Sequence, residues 1–288
     1  MEKHPEHQKG LLAVLIAAIL WSSGGLFIKL ISLTPMQISF FRCLVAAITF
    51  AFIFGKRVKK LNSLAVLNAA FYSSVLIAYV IATKTTTAAN AIFLQSTAPI
   101  YVLIFEPIIN KTRYEKVNLI TILICIAGMF LFFMGELSPG YLEGNLVALI
   151  SGLAFAAFFL GMRRNKPDYQ VASIFWGNII VMLVCIPFLF SIQQLKFSDM
   201  WMVSFLGVFQ IAVAYAFLSF GLVRVLAVEA SILSMFEPVL NPVWVYFGYG
   251  EVPSTYAIIG GLIIITAIIG RSFIFGAEAI NIRMSRKS

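Results

Sequence analysis

Apolar runs of about 20 residues, joined by short polar connectors, fill the chain from residue 11 to residue 275. A helix of about 20 residues matches the ~30 Å hydrocarbon core of a bilayer. Ten such runs are read at residues 11–31, 36–54, 64–83, 88–109, 117–134, 143–162, 170–190, 200–223, 228–247 and 255–275. Helices are expected because each satisfies its own backbone groups inside lipid, whereas barrel strands would give short alternating segments. The fold class is therefore all-α, a polytopic membrane protein. Of the 288 residues, 61% are hydrophobic and 11% charged, against about 45–50% and about 25% in soluble domains. Disordered, secreted disulfide-rich and soluble enzyme classes are excluded, because the connectors leave no room for a further domain.

The net charge of +9 is a topology signal, not a nucleic-acid surface. With the N-terminus cytoplasmic, 17 basic residues fall on that side, among them Lys56, Arg57, Lys59, Lys60, Lys111, Arg113, Lys116, Arg163, Arg164 and Lys166. Only Lys84 and Lys196 fall opposite, while Lys29 and Arg42 lie within runs. Cytoplasmic loops carry the Lys/Arg excess, so both termini are placed in the cytoplasm and the chain in the cell membrane. The first run continues through Trp21 and Gly24 to Ile31 with no small-residue cleavage site, so it reads as a retained helix, not a signal peptide.

Two segments repeat. GLLAVLIAAILWSSGGLFIK (residues 10–29) aligns with GNLVALISGLAFAAFFLGMR (residues 144–163), so that Trp21 meets Phe155. AANAIFLQSTAP (88–99) aligns with AVEASILSMFEP (227–238), sharing Ala88/Ala227, Ala91/Ala230, Leu94/Leu233 and Pro99/Pro238. These matches predict two five-helix halves, residues 1–140 and 141–288. Five spans is an odd number, so the second half would cross in the opposite sense, an inverted repeat of the kind transporters use. Prolines in run four (Pro99, Pro107) and run nine (Pro238, Pro242) predict paired broken helices, since proline withholds a helix donor.

The segments LWSSGGLFIK (20–29) and FFRCLVAA (40–47), the alanine-to-proline stretches of runs four and nine, and GEVPSTYAIIGGLIIITAIIG (250–270) resemble the EamA-type transporters of the drug/metabolite transporter superfamily. Thr112 stands where the second half has Glu251. The resemblance covers nearly the whole chain. It implies a secondary transporter, commonly an exporter of amino acids or related metabolites, with a central cavity lined by runs 1, 3, 4, 6, 8 and 9 and with runs 5 and 10 peripheral.

Charges inside the runs carry the site expectations. Glu237 lies nine residues into run nine, about 14 Å deep at 1.5 Å per residue and so near the midplane. An ionisable residue at that depth marks a polar pathway by default, suited to proton coupling or to binding an amine. Ser231, Ser234, Glu237 and Asn241 recur at spacings of 3, 3 and 4, placing them on one helix face. Arg42 suits either a substrate carboxylate, through its bidentate fork, or pairing with Glu237. Lys29 is expected to snorkel to the interface, and Glu106 to be an interfacial charge beside Lys111 and Arg113. Trp21, Tyr79, Asn90, Gln95 and Gln210 complete the candidate substrate-binding set, with Asn68, Tyr72, Thr97, Tyr101, Trp176, Asn178 and Tyr215 as further polar handles. Ser22, Ser23, Gly24, Gly25, Gly260 and Gly261 are expected to permit close helix approach.

No cofactor, metal or nucleic-acid partner is expected; the partners are a small-molecule substrate, the bilayer and protons. Cys43, Cys125 and Cys185 are far apart and lack metal spacing. Both histidines are in the N-terminal tail and both aspartates in loops, which argues against an intramembrane enzyme. No P-loop is present. A passive channel-like facilitator built on the same bundle is the alternative reading.

Overall fold

The computed structural model describes residues 3–86, 88–113, 115–132, 134, 141–192, 195–249 and 254–285. Residues 250–253, which open the last resembling segment and include Glu251, lie outside the described residues, as do the tail residues Arg286 and Lys287. Among the described residues all regular structure is helical. The helices are α1 (Lys3–Ser22), α2 (Gly24–Leu30), α3 (Pro35–Phe54), α4 (Ser63–Thr85), α5 (Ala88–Gln95), α6 (Ala98–Ile109), α7 (Lys116–Phe132), α8 (Leu142–Arg164) and α9 (Pro167–Cys185). They continue with α10 (Phe197–Phe205), a π-helical segment (Leu206–Val213), α11 (Ala214–Leu222), α12 (Ala227–Ser234), α13 (Phe236–Tyr249) and α14 (Thr255–Ser285).

Local chemistry starts these helices where the loops require it. Thr34 caps α3 by accepting from the Gln37 amide while the Gln37 side chain accepts from the Thr34 amide, and Pro35 supplies a preset first turn. Asn62 caps α4 through a 2.7 Å bond from the Ala65 amide.

Among the described residues, seven helical stretches are long and apolar enough to cross a bilayer, running from Pro5–Leu30 to Phe197–Leu222, and two shorter apolar helices lie at Lys116–Phe132 and Thr255–Arg271. The remaining predicted run, 228–247, is divided between α12 and α13 by a turn at Met235. This multi-pass protein turns large side chains such as Phe52, Ile108, Phe130 and Leu183 outward, as a lipid-facing surface requires.

Inside the bundle, α4 packs against α8 and α9, α3 against α9 and the π segment, and α1 against α11, α12 and α13. Helices α7 and α14 pack mainly on each other. Lipid tails are as apolar as leucine, so association rests on close packing, and glycine sets the distance at the α7–α14 seam. A Cβ at Gly260 would stand 2.5 Å from the Gly128 carbonyl and 2.6 Å from the Phe132 Cα. Gly260→Ala is expected to cost about 1–3 kcal/mol of overpacking, read as earlier thermal unfolding in detergent. Gly270→Ala, with nothing within 4 Å of its Cβ, leaves the transition in place.

Candidate functional site

Four interruptions of regular helix carry the polar residues of the interior. The first span breaks at Ser23, where Ser22 and Ser23 turn their hydroxyls back to the carbonyls of Ile19 and Leu20. The fourth breaks at residues 96–97 ahead of Pro99, and the ninth at Met235 ahead of Pro238. Both breaks follow from the missing proline donor, at two of the four prolines the sequence singles out; Pro107 and Pro242 lie within the continuous helices α6 and α13. The eighth span winds as a π-helix over Leu206–Val213, a departure often found at functional sites.

Each interruption delivers one side chain to a small central cavity: Trp21 two residues before the first, Gln95 at the end of α5, Glu237 at the start of α13 and Gln210 within the π segment. Arg42 of α3, Val75, Leu76 and Tyr79 of α4, Phe155 of α8 and Tyr215 of α11 complete the wall. The cavity volume is about 20 Å³. Its walls come from the six expected runs, with run two added through Arg42, and α7 and α14 contribute none.

Arg42 is fully buried. It donates from Nη2 to the Leu76 carbonyl at 2.9 Å and from Nη1 to Gln210 Oε1 at 3.3 Å, while its Nε has no partner. Glu237 lines the same cavity yet forms no ion pair with Arg42, and among the described residues it has no hydrogen-bond partner. Trp21 Nε1 and the Tyr79 hydroxyl are also buried without partners. Buried polar groups are normally satisfied, so three unmet groups that can donate, facing one unmet carboxylate, form an arrangement that lacks its complement.

Aromatic stacking fixes the wall. Trp21 meets Phe155 edge-on at 5.6 Å and tilts against Tyr215 at 5.0 Å, and Tyr215 meets Tyr72 at 4.8 Å. Gln95 is held by a 2.8 Å bond to Ser151 Oγ. Gly24 and Gly25 leave room for the side chains of Gln210 and Asn241, which a Cβ at either glycine would strike.

Six of the nine expected site residues thus meet in one cavity: Trp21, Arg42, Tyr79, Gln95, Gln210 and Glu237. The other three do not line it. Asn90 bonds Thr86 and Asn145 at the far end of the bundle, Ser234 turns back to the Ser231 carbonyl, and Asn241 lies against Gly25. Val75, Leu76 and Phe155 were not singled out as lining residues; of these, Phe155 alone carried a signal, as the repeat partner of Trp21.

Polar networks lie on either side of the cavity. On the side opposite the basic loops, Lys29 donates to the Thr86 carbonyl at 3.2 Å and Lys84 to the Ile31 carbonyl at 2.9 Å, so each lysine caps the C-terminus of the other's helix. Ser32 is held there by Asp199. Lys29 is exposed, in keeping with a lysine that snorkels to the interface, and its ammonium there meets a helix end.

On the basic side, Glu106 corrects its expected role as an interfacial charge. It is 1% exposed, and both carboxylate oxygens accept from the first amides of α12, Ala227 and Val228, at 2.7 Å each. A carboxylate is favoured at such a helix N-terminus. Beside it, buried Glu229 accepts from Arg271 at 3.1 Å, lies 3.1 Å from His7 Nε2 and accepts from the Leu226 amide at 2.8 Å, while Arg271 donates to Asn118 at 2.7 Å. This network joins α1, α7, α12 and α14.

The chain is similar to an uncharacterized transporter of Archaeoglobus fulgidus, 25% identical over 90% of this chain and 95% of the relative. It is also similar to the uncharacterized transporter YdfC of Bacillus subtilis, 26% identical over 86% of each. A solved crystal structure superposes with a TM-score of 0.79 over 93% of this chain and 98% of that one, at 17% identity, a likeness of fold. Residues 8–134 and again 142–273 match the EamA-like transporter family. With both stretches matched, and with a small polar cavity at its helix breaks, the chain belongs to the EamA-like transporter family and is a membrane transporter.

Proposed function

We propose that this transporter exports amino acids or related small zwitterionic metabolites by alternating access, with Arg42 receiving the substrate carboxylate and Glu237 the amine or a coupling proton. The observation that carries this reading is the unpaired Glu237 facing Arg42 in one cavity built at four helix interruptions. Irregular backbone at membrane depth is tolerated where it lines a cavity, and discontinuous helices form the substrate sites of secondary transporters. A zwitterion complements both unmet groups at once.

The small volume of the cavity supports a carrier over the alternative channel. A void of about 20 Å³ holds roughly one water molecule, so a substrate enters only if the walls part. The lysine clasp on one side and the Glu106 and Glu229 networks on the other are the contacts such a cycle would open in turn. Two inverted units, residues 1–140 and 141–288, would supply the two conformations, with both termini cytoplasmic and the protein in the cell membrane.

The test is counterflow in proteoliposomes against a panel of labelled amino acids. A carrier gives transient accumulation of label driven by excess unlabelled substrate on the other side, with no sustained current. Equilibration without overshoot identifies a facilitator, and absence of flux for every amino acid removes the substrate class.

A further inference from the structure

A second hollow lies between α4, α6 and α8, with a volume of about 440 Å³ and no residue in common with the central cavity. Its walls are apolar, among them Leu64, Phe71, Tyr101, Ile109 and Leu153. Besides the Tyr101 hydroxyl, two polar side chains interrupt them. Asn68 is fully buried, and neither its Oδ1 nor its Nδ2 has a hydrogen-bond partner. Arg164, at the end of α8, is exposed and makes no hydrogen bond or ion pair with any described residue.

The spacing of these features matches one kind of occupant. Asn68 lies against Gly161, whose missing side chain makes room for it. Gly161 stands three residues before Arg164, about 4.5 Å along the helix. Leu153 stands 11 residues before Arg164, about 16 Å, close to the ~15 Å half-thickness of a hydrocarbon core. The hollow is thus an apolar slot one leaflet deep, with an unmet amide just below the interface and a free guanidinium at the rim.

Nearby acids do not neutralise that rim. Asp168 is engaged by Arg57 and Lys60, and Glu106 by the amides of α12. Exposed Lys111 follows Ile109 by two residues and adds a second cation at the same end. An amphiphile with an anionic head, carbonyl esters beneath it and a long apolar tail meets every one of these groups.

We propose that the α4–α6–α8 groove binds one anionic phospholipid of the leaflet on the basic-loop side, with an acyl chain in the slot, an ester carbonyl accepting from Asn68 Nδ2 and the phosphate on Arg164. The site is separate from the transport cavity, and its occupation does not depend on the substrate assigned there.

The experiment is native mass spectrometry of the purified full-length protein with dioleoyl phosphatidylglycerol or dioleoyl phosphatidylcholine. The parent is expected to retain one phosphatidylglycerol about fivefold more tightly than phosphatidylcholine, the preference expected of one cationic contact. Arg164→Gln, an exposed change that leaves the fold intact, abolishes that preference, and Asn68→Leu weakens both lipids. Leu153→Trp, which fills the slot, blocks retention. Equal retention of the two lipids by the parent, or an unchanged preference in Arg164→Gln, overturns the proposal. So does a Leu153→Trp protein that stops counterflow yet keeps its lipid, which would make the groove a substrate passage, or a dimer that closes it.

Discussion

Glu237→Gln is expected to leave a folded protein that has lost most of its transport. The amide keeps the size and shape of the acid, and Glu237 holds no other described residue by an ion pair or hydrogen bond, so the fold loses no contact. What disappears is the ability to carry charge or exchange a proton in the cavity. Losing one charge-assisted contact costs about 1.5–3 kcal/mol, roughly a 10- to 100-fold drop in flux. Initial counterflow rates across a range of external pH provide the measurement, with the unfolding transition in detergent as the control. The parent rate varies with pH and the residual Glu237→Gln rate does not. Parent-like flux with parent-like pH dependence removes Glu237 from both coupling and binding.

This prediction rests on a residue the sequence exposes by scarcity. So few charges stand inside the apolar runs that Glu237 and Arg42 are found without any knowledge of packing, and the structure brings both to one cavity. The breaks at residues 96–97 and at Met235 were legible for a similar reason, because Pro99 and Pro238 announce a missing donor. The break at Ser23 and the π segment at Leu206–Val213 carry no proline. They depend on how α1, α3 and α11 pack, so the sequence pattern passes over them.

The polar stripe of run nine shows where periodicity stops. Spacings of 3, 3 and 4 put Ser231, Ser234, Glu237 and Asn241 on one face only if the helix is continuous. The turn at Met235 resets the rotation, sending Ser234 back to its own helix and Asn241 toward Gly25. Glu106 fails differently. Lys111 and Arg113 are its neighbours in sequence, but its partners are the amides of residues 227 and 228, a contact no local pattern encodes. Its burial is explicable once the helix end is seen, since a carboxylate that satisfies two orphan amides is not an unpaired charge.

Arg42 yields the second large effect, and two substitutions separate its roles. Its guanidinium ties α3 to α4 through the Leu76 carbonyl and to the π segment through Gln210, leaving Nε buried without a partner. Arg42→Lys preserves the charge but replaces a planar fork with a point charge. Losing bidentate geometry is expected to raise the half-saturating substrate concentration roughly tenfold or more, with a smaller change in maximal rate. Arg42→Met removes the cation, stops transport and leaves Glu237 with no cation among the residues lining the cavity. Removing the guanidinium leaves the buried Leu76 carbonyl and Gln210 Oε1 without their donor, at about 1.5–3 kcal/mol for each charged hydrogen bond, so Arg42→Met should unfold at a clearly lower temperature. The double variant Arg42→Met/Glu237→Gln decides how that loss divides. If the two charges stabilise each other across the cavity, neutralising Glu237 restores much of the stability, a coupling well above the error of additive changes. If the loss comes from the bonds to Leu76 and Gln210, the double variant melts with Arg42→Met. In either case transport stays absent, because a substrate carboxylate meets no cation. Flux in the double variant would show that Arg42 serves the fold and not the substrate.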